Sequence, residues 1–403
     1  MTERRTSGSL LAWFSLGHLS NDWAPAAVWL LTPAIAASLA LSPAELGLLI
    51  TIHSVGAALA FLPAGVLADR VTNRGRLLLA TFWWVAIGYF AASFAPGFWT
   101  LALLLAVAGM GDAAWHPIAT GVLVEGMPGR RARALGLHAV GGTLAEVLAP
   151  LSVGFLIGFF DWRTTLQLSA VPAALMGLAF FRIAARVPAS PHAAISRADF
   201  RTLWNAWRRP AGLGMIATIS AYNMAFLALL SMTPLFLQRV HGFSPAETGL
   251  VFSSMLLVGA AVQPFVGHLS DLTGRKRVVI VGNLAAAGAA LAVALGPGPV
   301  SLIAALIATA ALLVGIRSAV LAAAVEFAGG REATTLGLAF AVLDGVGALG
   351  ALLAGAVGSF DLHYAFLLAA GLAVLAAALA LPVAFASGAR EAAPVVEPVG
   401  GAE

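Results

Sequence analysis

The sequence predicts an all-α integral membrane protein of twelve spans, arranged as two related six-span halves. Composition gives the first reason. Of 403 residues, 60% are hydrophobic and 10% charged, with a mean hydropathy of +0.94. A water-soluble domain carries about 25% charged residues. The second reason is an internal repeat. Residues 42–79 recur, without a gap, as residues 244–281. Ser42, Pro43, Ala44, Glu45, Gly47, Leu48, Gly65, Leu67 and Asp69 each return as the same residue. With an offset of 201, Glu125 falls on Glu326, Gly129 on Gly330, Arg130 on Arg331 and Gly136 on Gly337. A repeat of about half the chain is the mark of a duplicated membrane bundle.

A spanning helix needs about 20 mostly apolar residues. Six segments qualify in the first half: 10–39, 45–68, 77–94, 99–124, 134–159 and 164–184. Six more follow: 211–237, 246–270, 278–295, 300–325, 335–358 and 363–386. The N-terminal MTERRTSGSLL resembles the start of a signal peptide. The apolar run continues to about Ala37 with no early small-residue cleavage site, so it reads as span 1. The chain thus divides into a first bundle (1–184), a cytoplasmic linker (185–210), a second bundle (211–386) and a tail (387–403). The linker is Arg-rich, contains Pro188, Pro191 and Pro210, and is expected to form a short amphipathic helix around 199–207. The Ala/Pro/Gly/Glu-rich tail is expected to be disordered.

Charge fixes the orientation. With both termini in the cytoplasm, 19 of the 22 basic residues fall inside. Arg163 and Arg239 fall outside, and Arg317 lies within a span. The net charge of +4 therefore reflects topology, not a nucleic-acid partner. The absence of Cys excludes disulfides, thiol catalysis and Cys metal sites. No phosphate-binding loop and no catalytic constellation is present, so neither an enzyme nor direct ATP drive is expected. The expectation is a monomer in a bacterial inner membrane that moves a small molecule on an ion gradient, with no cofactor.

Gly65-Val66-Leu67-Ala68-Asp69-Arg70, followed by Arg74 and Arg76, resembles the loop motif of the major facilitator superfamily. Gly267-His268-Leu269-Ser270-Asp271, followed by Gly274-Arg275-Lys276-Arg277, is its second copy. The first copy has Thr72 where a glycine is usual. The resemblance implies the major facilitator fold, two bundles rocking about a central cavity. It also implies a conformational latch of Gly65, Asp69, Arg70, Arg76, Gly267, Asp271 and Arg275, with Glu125 and Glu326 at repeat-related positions. Asp69 would face the start of span 11 near Thr335, and Asp271 the start of span 5 near Ala134. The plainer alternative is a pair of turns with topogenic charges.

A narrower resemblance rests on Ser15-x-x-His18-x-x-Asn21-Asp22, on Trp115-His116-Pro117, and on Gly136, Gly141-Gly142 and Pro150. These are similar to the fosmidomycin-resistance group of bacterial drug/proton antiporters. Span 5 keeps Gly136, Pro150 and Gly154 of an antiporter glycine-proline pattern, with Ala145 and Ala149 in place of glycines. Glu146 stands where that group carries a small or neutral residue.

Ionisable residues inside spans are functional candidates because hydrocarbon disfavours them. Asp22, Asp112 and Glu146 form an acidic layer near the middle of spans 1, 4 and 5. His18, His116 and His138 lie one or two turns to the cytoplasmic side. Carboxyl and imidazole groups in such layers can take up and release protons, so Asp22, Asp112, Glu146, His18 and His116 are the proton-coupling candidates. His53 and His138 read equally as packing residues. In the second half, Arg317 aligns with His116 at offset 201, and Asp344 is about a turn away in depth. Arg317 is either paired structurally with Asp344 or free to bind an anion. Arg317, His116, Asp344, Tyr222, Asn223 and Trp115 are the substrate-binding candidates, and Trp13 and Trp23 suit packing or the interface.

These features predict proton-coupled efflux of a small amphiphilic or anionic compound by alternating access. Two alternatives stay open. One is import of a small organic anion. The other is carriage of a metal or metal chelate by His18, Asp22, Asp112, His116 and Glu146.

Overall fold

The computed structural model of the chain describes residues 2–127, 130–188, 205, 207–296, 298–328, 332–383 and 385. Most of the expected linker and its 199–207 helix, and the tail 387–403, lie outside the described residues, as do the side chains of Asp69 and Thr335. No strand occurs among the described residues. In the first half the helices are α1 (Thr2–Leu39), α2 (Pro43–Arg70), α3 (Arg74–Ala92), α4 (Phe98–Gly126), α5 (Arg131–Leu156) and α6 (Trp162–Ile183). In the second they are α7 (Pro210–Arg239), α8 (Pro245–Thr273), α9 (Arg275–Ala294), α10 (Pro299–Ala328), α11 (Glu332–Gly345), α12 (Leu349–Gly358) and α13 (His363–Ala380). Eleven spans among the described residues are long and apolar enough to cross a membrane, α11 and α12 counting as one. Helix α1 is not among them. Ser15, His18, Ser20, Asn21 and Asp22 dilute its middle, yet it packs along α5 and α6 as a twelfth member of the bundle.

The repeat seen in sequence is a repeat of packing. Helix α2 packs on α4 as α8 packs on α10. Helix α3 packs on α6 as α9 packs on α13, and α1 packs on α5 as α7 packs on α12. The halves meet where α5 crosses α8 and where α2 meets α11 and α12.

The duplicated Ser-Pro-Ala-Glu is a helix-start device used twice. At α2, Ser42 Oγ accepts from the Glu45 N–H (3.2 Å) and Glu45 Oε2 accepts from the Ser42 N–H (2.8 Å). At α8, Ser244 and Glu247 repeat the same two bonds at 3.2 and 2.8 Å. Each reciprocal cap closes two backbone donors that the first turn leaves open. The turns at the other ends of these helices differ. Gly274 ends α8 with φ +94°, a backbone region that favours glycine. The first copy has Thr72 there and turns instead through Asn73, whose Oδ1 accepts from the Arg76 N–H at 3.1 Å.

Span 11 is interrupted between α11 and α12. The Gly347 N–H bonds to Val342 O (3.2 Å). Asn223 Nδ2 of α7 donates to Leu343 O at 2.6 Å. The break is tolerated because a neighbouring side chain replaces the backbone donor, as non-helical backbone at membrane depth requires.

Small residues let the halves touch at the end where α2 and α8 begin. A Cβ on Gly47 would lie 2.3 Å from Ala351 O, one on Gly355 2.3 Å from Pro43 O, and one on Gly154 2.8 Å from Pro245 O. Thr51 Oγ1 donates to Ala348 O (2.9 Å) and the Ala44 N–H to Ser359 Oγ (3.0 Å), both across the halves. Nearer the Arg-rich end, Phe61 of α2 stacks on Phe340 of α11 with ring centroids 6.0 Å apart.

Two predictions follow from this packing. A disulfide between cysteines placed at 44 and 359, in a chain with no native Cys, forms readily in the parent. Gly355→Leu, which drives a side chain into Pro43 O, suppresses that cross-link, and an unchanged yield would contradict the packing argument. The second concerns α6. The Thr164 N–H donates to Asp161 Oδ1 (2.7 Å) and holds this carboxyl below its ordinary range. A lowered folded-state value stabilises the protein above the unfolded value and loses that contribution as pH falls through the folded one. Asp161→Asn is therefore expected to flatten the acid limb of a melting-temperature profile.

Candidate functional site

The site begins at the contact between α1 and α5. A Cβ on Gly141 would lie 2.0 Å from Ser15 O, and one on Gly142 would lie 2.5 Å from His18 Nε2. Ser15 Oγ donates to Leu137 O at 3.1 Å. These two glycines bring the α5 backbone close enough for His18 Nδ1 to reach His138 O at 2.9 Å. A carbonyl oxygen only accepts, so Nδ1 carries the hydrogen. The other nitrogen, Nε2, faces Asp22 Oδ2 at 3.1 Å, one turn along α1. A bare imidazole lone pair and a carboxylate would repel at that separation. The His18–Asp22 contact therefore holds a shared proton or another cation.

Asn21 ties this pair to α4. Its Nδ2 donates to Asp112 Oδ1 (2.5 Å), to Asp112 O (3.3 Å) and to Asp22 Oδ1 (3.3 Å). His116 Nε2 lies 3.8 Å from Asp22 Oδ1 and 3.9 Å from Asp112 Oδ1. The imidazole layer is also real in space. His18 stacks on His138 (4.4 Å), His138 on Trp115 (5.2 Å), and His18 meets His116 edge-on (5.2 Å). His116, 28% exposed, is the most accessible of the four cluster residues His18, Asp22, Asp112 and His116. Phe61 stacks on it at 6.1 Å and links it to the α2–α11 contact.

Glu146 sits apart from that hydrogen-bonded cluster. Its side chain is exposed and feels Arg317 of the other half, together with Asp22 and His18. Arg317 also acts on Asp344, His116 and Tyr222. Among the described residues it makes no ion pair within 4.0 Å, so the tight Arg317–Asp344 pair offered as one reading of the sequence is not formed here. One guanidinium of the second half thus acts electrostatically on Glu146 and His116 of the first half and on Asp344 of its own.

Three expected substrate contacts are placed otherwise. Trp115 and Tyr222 are fully buried, and Asn223 is nearly so. Tyr222 donates to Leu313 O (2.6 Å) and Asn223 to Leu343 O (2.6 Å). In this conformation they pack and position α4, α10 and α11 rather than face open space. His53 is buried and meets Tyr89 Oη at 2.8 Å, a satisfied packing histidine.

The latch residues form ties within each half. Arg275 pairs with Asp271, with Glu326 Oε1 (3.2 Å) and with Ser270 Oγ (3.1 Å). Asp271 is 58% exposed; the expected contact at the start of α5 involves side chains 131–132, which lie outside the described residues. In the first half the corresponding residue is Arg74. It is 2% exposed, pairs with Glu125, and donates through Nε to Ala68 O (3.0 Å). Arg74 was missed in favour of Arg70 and Arg76, which are exposed. Its equivalence to Arg275 is one of contacts, since each arginine bonds the glutamate 51 residues further on. A Cβ on Gly65 would lie 3.7 Å from Pro117 and one on Gly267 3.2 Å from Ser318 Oγ.

The sequence matches the Major Facilitator Superfamily over residues 14–245 and 237–399. A probable sugar efflux transporter of Helicobacter acinonychis is 28% identical over 245 residues, which are 60% of this chain and 61% of the relative. A putative metabolite transport protein of Haemophilus influenzae is 26% identical over 267 residues, covering 63% of this chain and 65% of the relative. The matches thus span less than two thirds of these relatives. A bacterial homologue of the human lysosomal transporter Spinster, solved inward-facing and unoccupied, superposes with a TM-score of 0.79 at 19% identity. It covers 93% of this chain and 96% of its own. The nucleoside transporter NupG superposes with a TM-score of 0.73 at 14% identity, covering 92% of this chain and 98% of its own.

Two substitutions test this geometry. Gly142→Ala displaces the His18 ring, so an NMR signal of labelled His18 is expected to lose its pairing with Asp22 while helicity is kept. Asn223→Ala leaves Leu343 O without its side-chain donor and is expected to lower stability by about 1–3 kcal/mol, read as a fall in melting temperature.

Proposed function

The chain belongs to the major facilitator superfamily, and on that premise we propose that it is a proton-coupled exporter of a small amphiphilic or anionic compound. The observation that carries the coupling is the His18–Asp22 contact at 3.1 Å, with the opposite ring nitrogen bound to His138 O. That geometry demands a cation, and Asn21 and His116 extend the demand to Asp112. Together they make a small buried basin that a proton can occupy and leave.

The substrate reading rests on Arg317. It is a cation whose field reaches Glu146 and His116 of the other half, and a cation with no ion pair among the described residues suits an anionic or strongly polar group. In the proposed cycle a proton enters from outside and neutralises one carboxyl of the basin or Glu146. The reduced charge lets the bundles reclose. Release of the proton to the cytoplasm restores the carboxylate as substrate is taken up beside Arg317 and His116. The Arg-rich loops are assigned to the cytoplasm by the positive-inside rule. The glycine contacts at the opposite end then make this conformation one closed toward the outside. Export is favoured over import by the span-5 pattern and the resemblance to drug/proton antiporters, and the relative named as a probable sugar efflux transporter points the same way. Proposed with it are a monomer in a bacterial inner membrane, two bundles (1–184 and 211–386) joined by the 185–210 linker, and a contribution to drug resistance.

The test is reconstitution in liposomes loaded with a pH-sensitive dye under an imposed proton gradient. Phosphonates, sugars, lipophilic drugs and organic acids are added in turn. A compound that collapses the gradient is expected in the parent. Asp22→Asn with Glu146→Gln should slow that collapse roughly tenfold or more, a barrier change of about 1.4 kcal/mol. Unchanged proton flux in the double variant would remove the coupling role. Arg317→Gln is expected to weaken substrate response while leaving the proton basin in place.

A further inference from the structure

The contact that demands a cation also has the donor set of a metal site. His18 Nε2, an Asp22 carboxylate oxygen and His116 Nε2 all lie within 4.8 Å of one another. His18 Nε2 lies 3.1 Å from Asp22 Oδ2, and His116 Nε2 lies 3.8 Å from the other oxygen, Oδ1. Zinc holds nitrogen and oxygen donors at about 2.0–2.2 Å in a tetrahedron, which sets neighbouring donors about 3.3–3.6 Å apart. The measured separations bracket that value. We propose that His18, Asp22 and His116 bind one divalent transition-metal ion of the zinc class, with the fourth position open.

Four observations support this site. His18 and Asp22 sit one turn apart on α1, so a single helix face presents two ligands in fixed register. His18 donates its other ring hydrogen to His138 O, the outer contact that orients a metal-bound imidazole and raises its basicity. Asn21, which orients Asp112 beside the site, keeps a buried Oδ1 without a hydrogen-bond partner among the described residues. His116 is 28% exposed, which leaves a way in for an ion. Two imidazoles and one carboxylate select zinc, cobalt or nickel over magnesium or calcium. The ion occupies the place assigned above to the proton, so a bound metal holds α1 to α4 and stops the proton cycle. The binding itself does not depend on the transport reading.

Untagged full-length protein in detergent, stripped with chelator, is titrated with zinc chloride by calorimetry and by thermal denaturation. Magnesium serves as the control. One zinc per chain is expected, with a melting temperature that rises with zinc and not with magnesium. Loss of an outer-shell partner alone weakens metal sites about 10–100-fold, so His116→Gln, which removes a ligand, should weaken zinc binding by at least about 100-fold. His116→Cys restores a ligand and should bring a thiolate-to-cobalt charge-transfer band when cobalt is added. Melting without metal checks that each variant is folded. The proposal is overturned if the parent binds no zinc, if zinc binding survives His116→Gln unchanged, or if the His116→Cys protein gives no such band. Since no gradient or substrate is present, transport can fail in liposomes while zinc still binds, and the reverse.

Discussion

Hydrocarbon makes an unpartnered polar group costly, and that constraint gathers this protein's chemistry into one place. Asp22, Asp112, His18 and His116 come from two helices that alone would each carry an intolerable burden. Packed together they share Asn21 and each other. The same constraint governs the backbone. Where span 11 breaks between Gly345 and Leu349, Leu343 O is met by Asn223 and Ala348 O by Thr51 of the other half. A residue expected to touch substrate is thereby used to keep a helix break habitable. Polar side chains in the spans serve two employers, and burial with a backbone partner distinguishes the structural ones from those left facing open space.

Glycine placement decides what can move. Gly141 and Gly142 press α5 against α1 so closely that His18 reaches the α5 backbone, and this contact lies within one half. Gly47, Gly355, Gly154 and Gly249 press the two halves together at one end only. The first set makes the proton basin rigid within its bundle. At that end the second set makes a seam which, among the described residues, is held by short backbone approaches and by the Ala44–Ser359 and Thr51–Ala348 hydrogen bonds. The ionic ties, Arg74–Glu125 and Arg275 with Asp271 and Glu326, stay inside their halves.

The architecture was legible from the sequence because duplication writes it twice. Ser42-Pro43-Ala44-Glu45 and its copy mark helix starts, and the Asp/Arg-rich turns mark the opposite ends. The histidine layer beneath the carboxylates was also legible, from helix direction and spacing alone. Side-chain allegiance was not. Trp115 and Tyr222 are large and partly polar, which suits a cavity wall as well as a core, and only packing buries them. Asn21 looked like a neighbour of Asp22. Its bridge to Asp112 depends on how closely α1 approaches α4, which no single-helix pattern encodes. The break in span 11 was hidden because Gly345 and Gly347 are ordinary in small-residue-rich membrane helices.

Duplication followed by divergence explains how such a site can couple two events. The halves place His116 and Arg317 at equivalent positions, so one ancestral depth now holds a group that can lose its charge and one that cannot. The neutralisable carboxyl and imidazole groups are concentrated in the first half. The second half contributes Arg317, whose charge acts on Asp344 without a direct pair. Two symmetric proton basins would titrate alike and give the bundles no reason to prefer one arrangement. In the proposed cycle a basin near a fixed cation would give one, since a proton gained or lost by Glu146 changes its attraction for Arg317. A substrate anion competes for the same guanidinium. In the proposed cycle proton and substrate act on one electrostatic interaction between the halves, and reciprocal coupling between them would follow without any direct contact between the two ligands.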